Sequence, residues 1–276
     1  MNEARPPVLD GNAAAELIEP LTEIVIAAGA AILAVNRSAM KVDGKTDGSP
    51  VTEADLAADS IIAAGLARLA PSIPSLSEER TQHGELPYKN SFFLVDPLDG
   101  TKEFVAGRNE FTVNVALITE GVPLLGIVSA PALGLIWRGI VGRGAERLTL
   151  GEGKPLIEPI RTRPCPPRGQ PWTVAVSRLH GDARTEAFIA ARPHAVRSEL
   201  GSAVKFGRVA ELNELNVRVQ WIGRPFDSPM ARTPRYVQRA IRKAIADTAH
   251  NTGMVLTIAF DYGGRSELVA AVEAAR

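Results

Sequence analysis

Two aspartates, Asp96 and Asp99, frame the segment Asp96-Pro97-Leu98-Asp99-Gly100-Thr101, directly after the hydrophobic run Ser91-Phe92-Phe93-Leu94-Val95. The proline and glycine of that turn hold the two carboxylates close together. Like charges so placed repel unless a cation lies between them. Carboxylates are hard oxygen ligands suited to Mg²⁺, and the Leu98 carbonyl offers a further oxygen. The backbone amides of Gly100 and Thr101, opening the next element, are positioned to meet a phosphate. The same residues also suit an Asx-type turn whose carboxylates only cap backbone amides.

Other segments carry weaker chemistry of the same kind. Ser77-Glu78-Glu79 offers paired carboxylates, which are equally at home on a solvated surface. Asp55 stands in Thr52-Glu53-Ala54-Asp55, a capping-box pattern in which it has a purely structural use. Ser177-Arg178-Leu179-His180 follows an apolar run, and Gly201-Ser202-Ala203-Val204-Lys205-Phe206 opens a helical pattern. Lys205 near a helix start makes an anion site. A histidine after a strand is also commonly structural, and a helical lysine commonly solvated. Cys165, among Pro164, Pro166 and Pro167, has no base beside it in sequence.

Periodicity supplies the elements that must position these residues. Apolar residues at helical spacing predict a helix over 13–35, with Leu17, Leu21, Ile24, Ala28 and Ile32 on its stripe. A second is predicted over 53–69, with Leu56, Ile62, Leu66 and Leu69 on its stripe. Strands are expected over 91–95, 111–118, 124–129 and 135–141. The prolines and glycines of 142–171 argue against any regular element interior there and predict a surface hairpin followed by a connector. A strand over 172–176 and helices over 183–191 and 202–211 follow. The last part alternates strand (216–223), helix (234–249), strand (254–262) and helix (266–276), a βαβα pattern in a parallel sheet.

Composition narrows the function classes. The 276 residues balance 31 Lys+Arg against 31 Asp+Glu, so phosphate neutralisation on nucleic acid is not expected. Aromatic residues at 5% argue against a base-stacking platform. One cysteine excludes an intramolecular disulfide and fits a reducing cytoplasm. The longest uncharged apolar stretch, 24–35, is short for a membrane span, and it follows Glu16, Glu19 and Glu23 rather than a basic leader.

Taken in order, Ser49-Pro50-Val51-Thr52 with Asp55, Ser77-Glu78-Glu79, and Asp96-Pro97-Leu98-Asp99-Gly100-Thr101 resemble the inositol monophosphatase superfamily. The continuation Lys102-Glu103-Phe104 with Asn109-Glu110-Phe111-Thr112-Val113-Asn114 resembles its 3′(2′),5′-bisphosphate nucleotidase branch. The similarity spans about 13–211. It implies an α/β fold, a layered αβαβα sandwich, in a cytoplasmic Mg²⁺-dependent phosphatase of sulfur assimilation. The partner implied is a small nucleotide or sugar phosphate, with the oligomeric state left open. By this resemblance Glu78, Asp96 and the Leu98 carbonyl hold one Mg²⁺, and Asp96 with Asp99 hold a second. Asp55 and Thr101 orient and deprotonate the attacking water. Gly100, Thr101, His180, Ser202 and Lys205 contact the substrate, expected to be 3′-phosphoadenosine 5′-phosphate. The metal-binding subdomain is expected over 1–150 and an incomplete second phosphatase subdomain over 151–211.

Beyond Glu211 the family's Trp-Asp-Thr-Ala-Ala-Gly motif, whose aspartate completes the second metal site, is missing. The stretch 212–276 instead resembles the middle of a cis-prenyltransferase of the undecaprenyl diphosphate synthase family. It carries Ile222-Gly223-Arg224, Asn251-Thr252-Gly253 and Asp261-Tyr262-Gly263-Gly264-Arg265. That family's diphosphate-binding aspartate belongs to an early Asp-Gly-Asn motif. Asp10-Gly11-Asn12 matches those letters, but Ala13-Ala14-Ala15 follows where Arg-Trp is expected. Three readings follow: an Mg²⁺-dependent phosphatase, a catalytically impaired hybrid that still binds metal or nucleotide, and a prenyltransferase.

Counted without gaps from Glu211, Phe226-Asp227-Ser228 falls where Trp-Asp-Thr belongs, so Asp227 is the candidate replacement ligand. An Mg²⁺ titration of phosphatase activity with Asp227→Ala beside the parent checks this. A parent that saturates at low Mg²⁺ and an inactive variant establish the replacement; equal activity removes Asp227 from the mechanism.

Overall fold

Asp10 starts the first helix. Its carboxylate accepts from the Asn12 and Ala13 amides at 2.9 and 3.0 Å, so α1 (Gly11–Ala34) opens two residues ahead of the periodic pattern. The Asp10-Gly11-Asn12 triplet therefore serves here as a helix start. In this computed structural model the residues described are 7–40, 42–44, 50–80, 90–160, 172–178, 183–191, 194–212, 218–222, 242, 246 and 255–259. Two compact units divide the chain, Met1–Asn213 and Glu214–Arg276.

In the first unit, α1 is followed by β1 (Val42–Gly44), β2 (Pro50–Thr52), α2 (Glu53–Leu69), β3 (Ser75–Ser77) and β4 (Ser91–Asp99). Next come α3 (Thr101–Val105), β5 (Thr112–Thr119), β6 (Val122–Ala130), β7 (Leu135–Ile140), β8 (Gly144–Thr149) and β9 (Leu156–Ile160). The unit closes with β10 (Trp172–Ser177), α4 (Ala183–Ala190), β11 (Ala195–Leu200) and α5 (Val204–Leu212). Strands β3 to β9 form one sheet in sequence order, parallel between β3 and β4 and antiparallel thereafter.

Helices α1 and α2 cover one face of this sheet. Leu21, Val25, Ala28 and Ile32 of α1 join Ile62 and Leu66 of α2 and Phe93, Val95, Val115 and Leu117 in the main core. Such burial removes roughly 2 kcal/mol of apolar exposure per large side chain. By length and composition alone α1, at 24 residues, is also long and apolar enough to cross a membrane, although the uncharged stretch within it is short. Arg138 of β7 fastens α1 to the sheet. Its buried guanidinium pairs with Glu19 at 2.6 Å and Glu146 at 2.7 Å and donates to Thr22 at 2.8 Å. That pairing offsets the cost of a buried cation and holds the Glu19 carboxyl below the usual carboxylate range.

On the opposite face Trp137, Ala130 and Leu135 pack with Val204 of α5. Helix α5 contacts both β6 and β10, so helix and sheet layers alternate in the mixed α/β architecture expected from the sequence. Strands β10 and β11 pair in parallel, with α4 between them in sequence.

Several expectations need correction. The stripe of α2 does not include Leu56, which is 54% exposed; Ala54, Ala58, Ile62, Gly65 and Leu66 face inward with Asp55 and Asp59. Small residues there bring α2 close to α1, where a Cβ on Gly65 would lie 2.8 Å from Ile24. The hairpin expected within 142–171 is present as β8 and β9, but it is regular strand that extends the large sheet rather than an irregular surface loop. Pro159 is tolerated because β9 is the edge strand, where one side of the ladder needs no donor. Helix α5 begins at Val204 rather than Ser202. Strands β1, β2, β3 and β11 are not read from the sequence; the first three have three residues each.

In the second unit, β12 (Arg218–Ile222) and β13 (Val255–Ala259) pair in parallel, and Arg242 and Ala246 between them are helical. This agrees with the βαβ order read from the sequence. The expected helix over 266–276 lies outside the described residues.

Gly207 of α5 lies against the Trp137 ring, where an added Cβ would approach ring atoms at 2.3–2.6 Å. Gly207→Ala is expected to cost about 1–3 kcal/mol through overpacking, read by urea unfolding. Gly126→Ala is the control, with nothing within 4 Å of its Cβ.

Candidate active site

The site is organised by an irregularity at the end of β4. Asp96 pairs with Asn114 and Asp99 with Thr112, so the β4 segment carries one more residue than its partner. Pro97 has no N–H to give the ladder, and a bulge is where a sheet accommodates it. Leu98 turns into the core, 3% exposed. Gly100 then takes φ +92, and a Cβ there would lie 3.0 Å from Ser202 Cβ. Both conditions require glycine. Helix α3 begins at the next residue, anchored by Phe104, which packs edge-on against Phe111 beneath the Arg37 guanidinium.

Asp55 reaches this turn from the start of α2. It is 1% exposed, and its Oδ2 accepts from Thr52 N–H at 2.8 Å and Thr52 Oγ1 at 2.6 Å, completing the capping box. Its Oδ1 lies 3.1 Å from Thr101 Oγ1, which is also 3.2 Å from the Leu98 carbonyl. The single hydroxyl proton of Thr101 thus sits between two acceptors. The structural and chemical readings of Asp55 coexist because each oxygen serves one of them.

The Glu78 segment is fixed from beneath. Ser77 Oγ donates to Asp59 Oδ1 at 2.5 Å, and Arg80 Nε meets the other Asp59 oxygen at 2.8 Å. Asp59 lies one helical turn beyond Asp55 and is 5% exposed. Glu78 N–H donates to Val95 O at 3.1 Å, one step past the Ser77–Val95 pair, which sets the Glu78 backbone beside the Asp96 end of β4. The Glu78 residue itself is exposed. Sequence reasoning gave Asp59 no role, because an i+4 carboxylate on a helix looks like surface.

Asp99, the last residue of β4, is bonded toward α5. Its Oδ2 accepts from Ser202 Oγ at 2.6 Å, Ala203 N–H at 2.6 Å and Thr112 Oγ1 at 3.3 Å, fastening the turn that leads into α5. Ser202 adopts φ +51, and Lys205 Nζ donates back to its carbonyl. Burial pushes the Lys205 ammonium below the ordinary lysine range, while Asp99, Glu103 and Glu110 pull it back.

The structure therefore brings Asp55, Thr101 and the Leu98 carbonyl together, and separately Asp99, Gly100 and Ser202, with Lys205 bonded to Ser202. His180 and Asp227 lie outside the described residues. Among the described residues no three His, Cys, Asp or Glu side chains form a group able to enclose a cation. Asp55 and Asp99 are each bonded to local hydroxyl and amide donors. The donor chemistry at the β4 end nevertheless fits Mg²⁺: every candidate ligand is a hard oxygen. Facing Asp96, Asn114 contributes a buried Oδ1 that accepts no hydrogen bond. Asn114 belonged to the motif read from sequence, but only strand pairing sets it opposite Asp96.

Comparison with known proteins identifies the family and the fold. The inositol monophosphatase family model matches residues 13–213, and the putative undecaprenyl diphosphate synthase model matches residues 192–276. The chain is 39% identical over 198 residues to the 3′(2′),5′-bisphosphate nucleotidase CysQ of Shigella flexneri, covering 71% of this chain and 77% of that protein. The crystal structure of CysQ from Bacteroides thetaiotaomicron, described as a bacterial member of the inositol monophosphatase family, superposes with a TM-score of 0.55 at 28% identity. That match covers 71% of this chain and 76% of that one. The suhB protein of Bartonella henselae shares the fold at a TM-score of 0.59 and 21% identity, over 71% of this chain and 75% of its own. With residues 13–213 matched by the family model and a curated relative 39% identical over 198 residues, the chain belongs to the inositol monophosphatase family of phosphatases.

Proposed function

We propose that the protein is a Mg²⁺-dependent phosphatase that converts 3′-phosphoadenosine 5′-phosphate and water into AMP and orthophosphate. The observation that carries this reading is the Thr101 hydroxyl held between the buried Asp55 carboxylate and the Leu98 carbonyl. Thr101 Oγ1 orients a water molecule, and Asp55 Oδ1 receives the proton released as that water attacks. The water oxygen forms the new P–O bond, the bond between phosphorus and the 3′-oxygen breaks, and the leaving oxygen takes a proton from solvent. Phosphoryl transfer depends chiefly on positioning and charge neutralisation, and this turn is built for both.

Glu78, Asp96 and the Leu98 carbonyl are the groups that would hold one Mg²⁺, and Asp96 with Asp99 a second. A bound Mg²⁺ supplies charge neutralisation at the phosphoryl oxygens and acidifies water. The amides of Gly100 and Thr101 receive the phosphoryl oxygens, while Ser202, Lys205 and His180 address the nucleotide side. This reading places the metal and water chemistry in 1–150 and the nucleotide side in 151–211. A cytoplasmic location accords with the single cysteine and with α1 packed into the core. The nucleotide is favoured over inositol phosphate by Lys102-Glu103-Phe104 and by the CysQ relatives.

Phosphate release with Mg²⁺ is expected to show a higher kcat/KM for 3′-phosphoadenosine 5′-phosphate than for inositol 1-phosphate; the reverse order overturns the substrate. Asp55→Asn is expected to lower kcat by about 10²–10⁴-fold, the range for a lost general base. Asp99 has a second task that a metal-free measurement isolates. In Mg²⁺-free buffer Asp99→Ala is expected to lose about 1–2 kcal/mol of stability in urea unfolding, as a lost cap does. A gain in stability instead would mark Asp99 as a carboxylate held only for the metal.

A further inference from the structure

Glu110 and Arg178 take no part in the chemistry described so far, yet they form a bidentate ion pair beside it. Arg178 stands just past β10 and Glu110 just before β5, so the pair joins the second sheet to the first. The guanidinium grips both carboxylate oxygens of Glu110, Nη2 to Oε1 at 2.9 Å and Nη1 to Oε2 at 2.5 Å. Arg178 Nη2 also donates to the Glu199 carbonyl of β11 at 3.2 Å, and its Nη1 lies 3.8 Å from the buried Glu103. Glu110 Oε2 accepts the Gly201 amide at 2.8 Å. A Cβ on Gly201 would lie 2.9 Å from the Glu110 carbonyl, so backbone meets backbone there without room for a side chain.

These contacts converge on one turn. Gly201 N–H is held by Glu110 and Ala203 N–H by Asp99, and between them sits Ser202 in a left-handed conformation unusual for serine. Both flanks of Ser202 are thus tied to the β4–β5 side of the site. Lys205 follows, bonded to the Ser202 carbonyl. The Arg178 side chain is 29% exposed, so its role is not core packing, and an ion pair so exposed contributes little to stability. Its bidentate geometry instead fixes direction, which a planar guanidinium does and an ammonium does not.

We infer that Glu110 and Arg178 are positioning residues that set Ser202 and Lys205 against the Asp99-Gly100-Thr101 turn, and so set the preference for a nucleoside bisphosphate over a small phosphomonoester. The inference rests on the nucleotidase reading. It gives the clamp a role in binding a second anionic or nucleoside group remote from the reacting phosphate. Loss of the clamp therefore raises KM for the nucleotide more than it lowers kcat.

The test compares the parent with Arg178→Lys and Glu110→Gln on the full chain. Three readouts are taken: calorimetric affinity for 3′-phosphoadenosine 5′-phosphate, the ratio of its KM to that of p-nitrophenyl phosphate, and amide exchange at Gly201. Arg178→Lys keeps the charge and loses the fork, while Glu110→Gln keeps the shape and loses the charge. Each variant is expected to weaken nucleotide affinity about tenfold, as loss of a charge-assisted hydrogen bond does, to raise the KM ratio alike, and to speed Gly201 exchange. A parent that binds the nucleotide tightly, with variants that equal it in affinity and KM ratio, overturns the clamp alone. A parent that binds no nucleotide overturns the nucleotidase reading, and the assignment of specificity with it.

Discussion

The extra residue at the end of β4 is the constraint on which the site depends. Without an N–H at Pro97 the ladder cannot run through Asp96–Asp99, and the chain bulges where it would otherwise continue as a flat strand. That departure sends Leu98 inward, aims its carbonyl at Thr101 and delivers the chain to Gly100 in a conformation reserved for glycine. Thr101 can then meet Asp55 from α2, and Asp99 can meet the turn before α5. Elements far apart in sequence, β4, α2 and α5, thus meet through a few ångströms of irregular backbone.

Charge is managed by distribution. Asp55, Asp59, Asp96 and Asp99 lie in or beside one corner of the fold, where unmatched carboxylates would repel one another. Asp55 takes donors from Thr52 and Thr101, Asp59 from Ser77 and Arg80, and Asp99 from Ser202, Ala203 and Thr112. Hydroxyls predominate among these donors. A hydroxyl can redirect its one proton from a carboxylate to a phosphoryl oxygen, or accept from a water, so a corner satisfied in this way can still receive a water or a phosphate. The guanidinium pairs of Arg178 and Arg138 lie outside this corner and fix the frame around it.

The chain past residue 213 belongs to a different pattern. Its described strands pair in parallel within their own unit, and its sequence matches a transferase family model that starts at residue 192 and overlaps the phosphatase match. The overlap includes β11, the Gly201–Lys205 turn and α5. The contacts of that turn to Asp99 and Glu110 come from the front of the chain, outside the residues that the transferase model matches.

Much of this was legible in the sequence because it is local. The long helices follow from apolar spacing, the capping box from Thr52 and Asp55, the β4–β7 strands from continuous apolar runs, and the acidic turn from two aspartates around a proline. The order of the acidic segments pointed to the family. Tertiary structure alone decided what depends on partners distant in the chain. Leu56 lies outside because α2 meets α1 through small residues, and β9 joins the sheet because an edge tolerates Pro159. Asn114 faces Asp96 because antiparallel register sets it there, and Glu110 holds the Gly201 amide across ninety-one residues of chain. A capping box closes within one turn of helix, so its partners are written side by side. A hydrogen bond between remote segments is specified only when sheet register and helix packing have brought their backbones within reach.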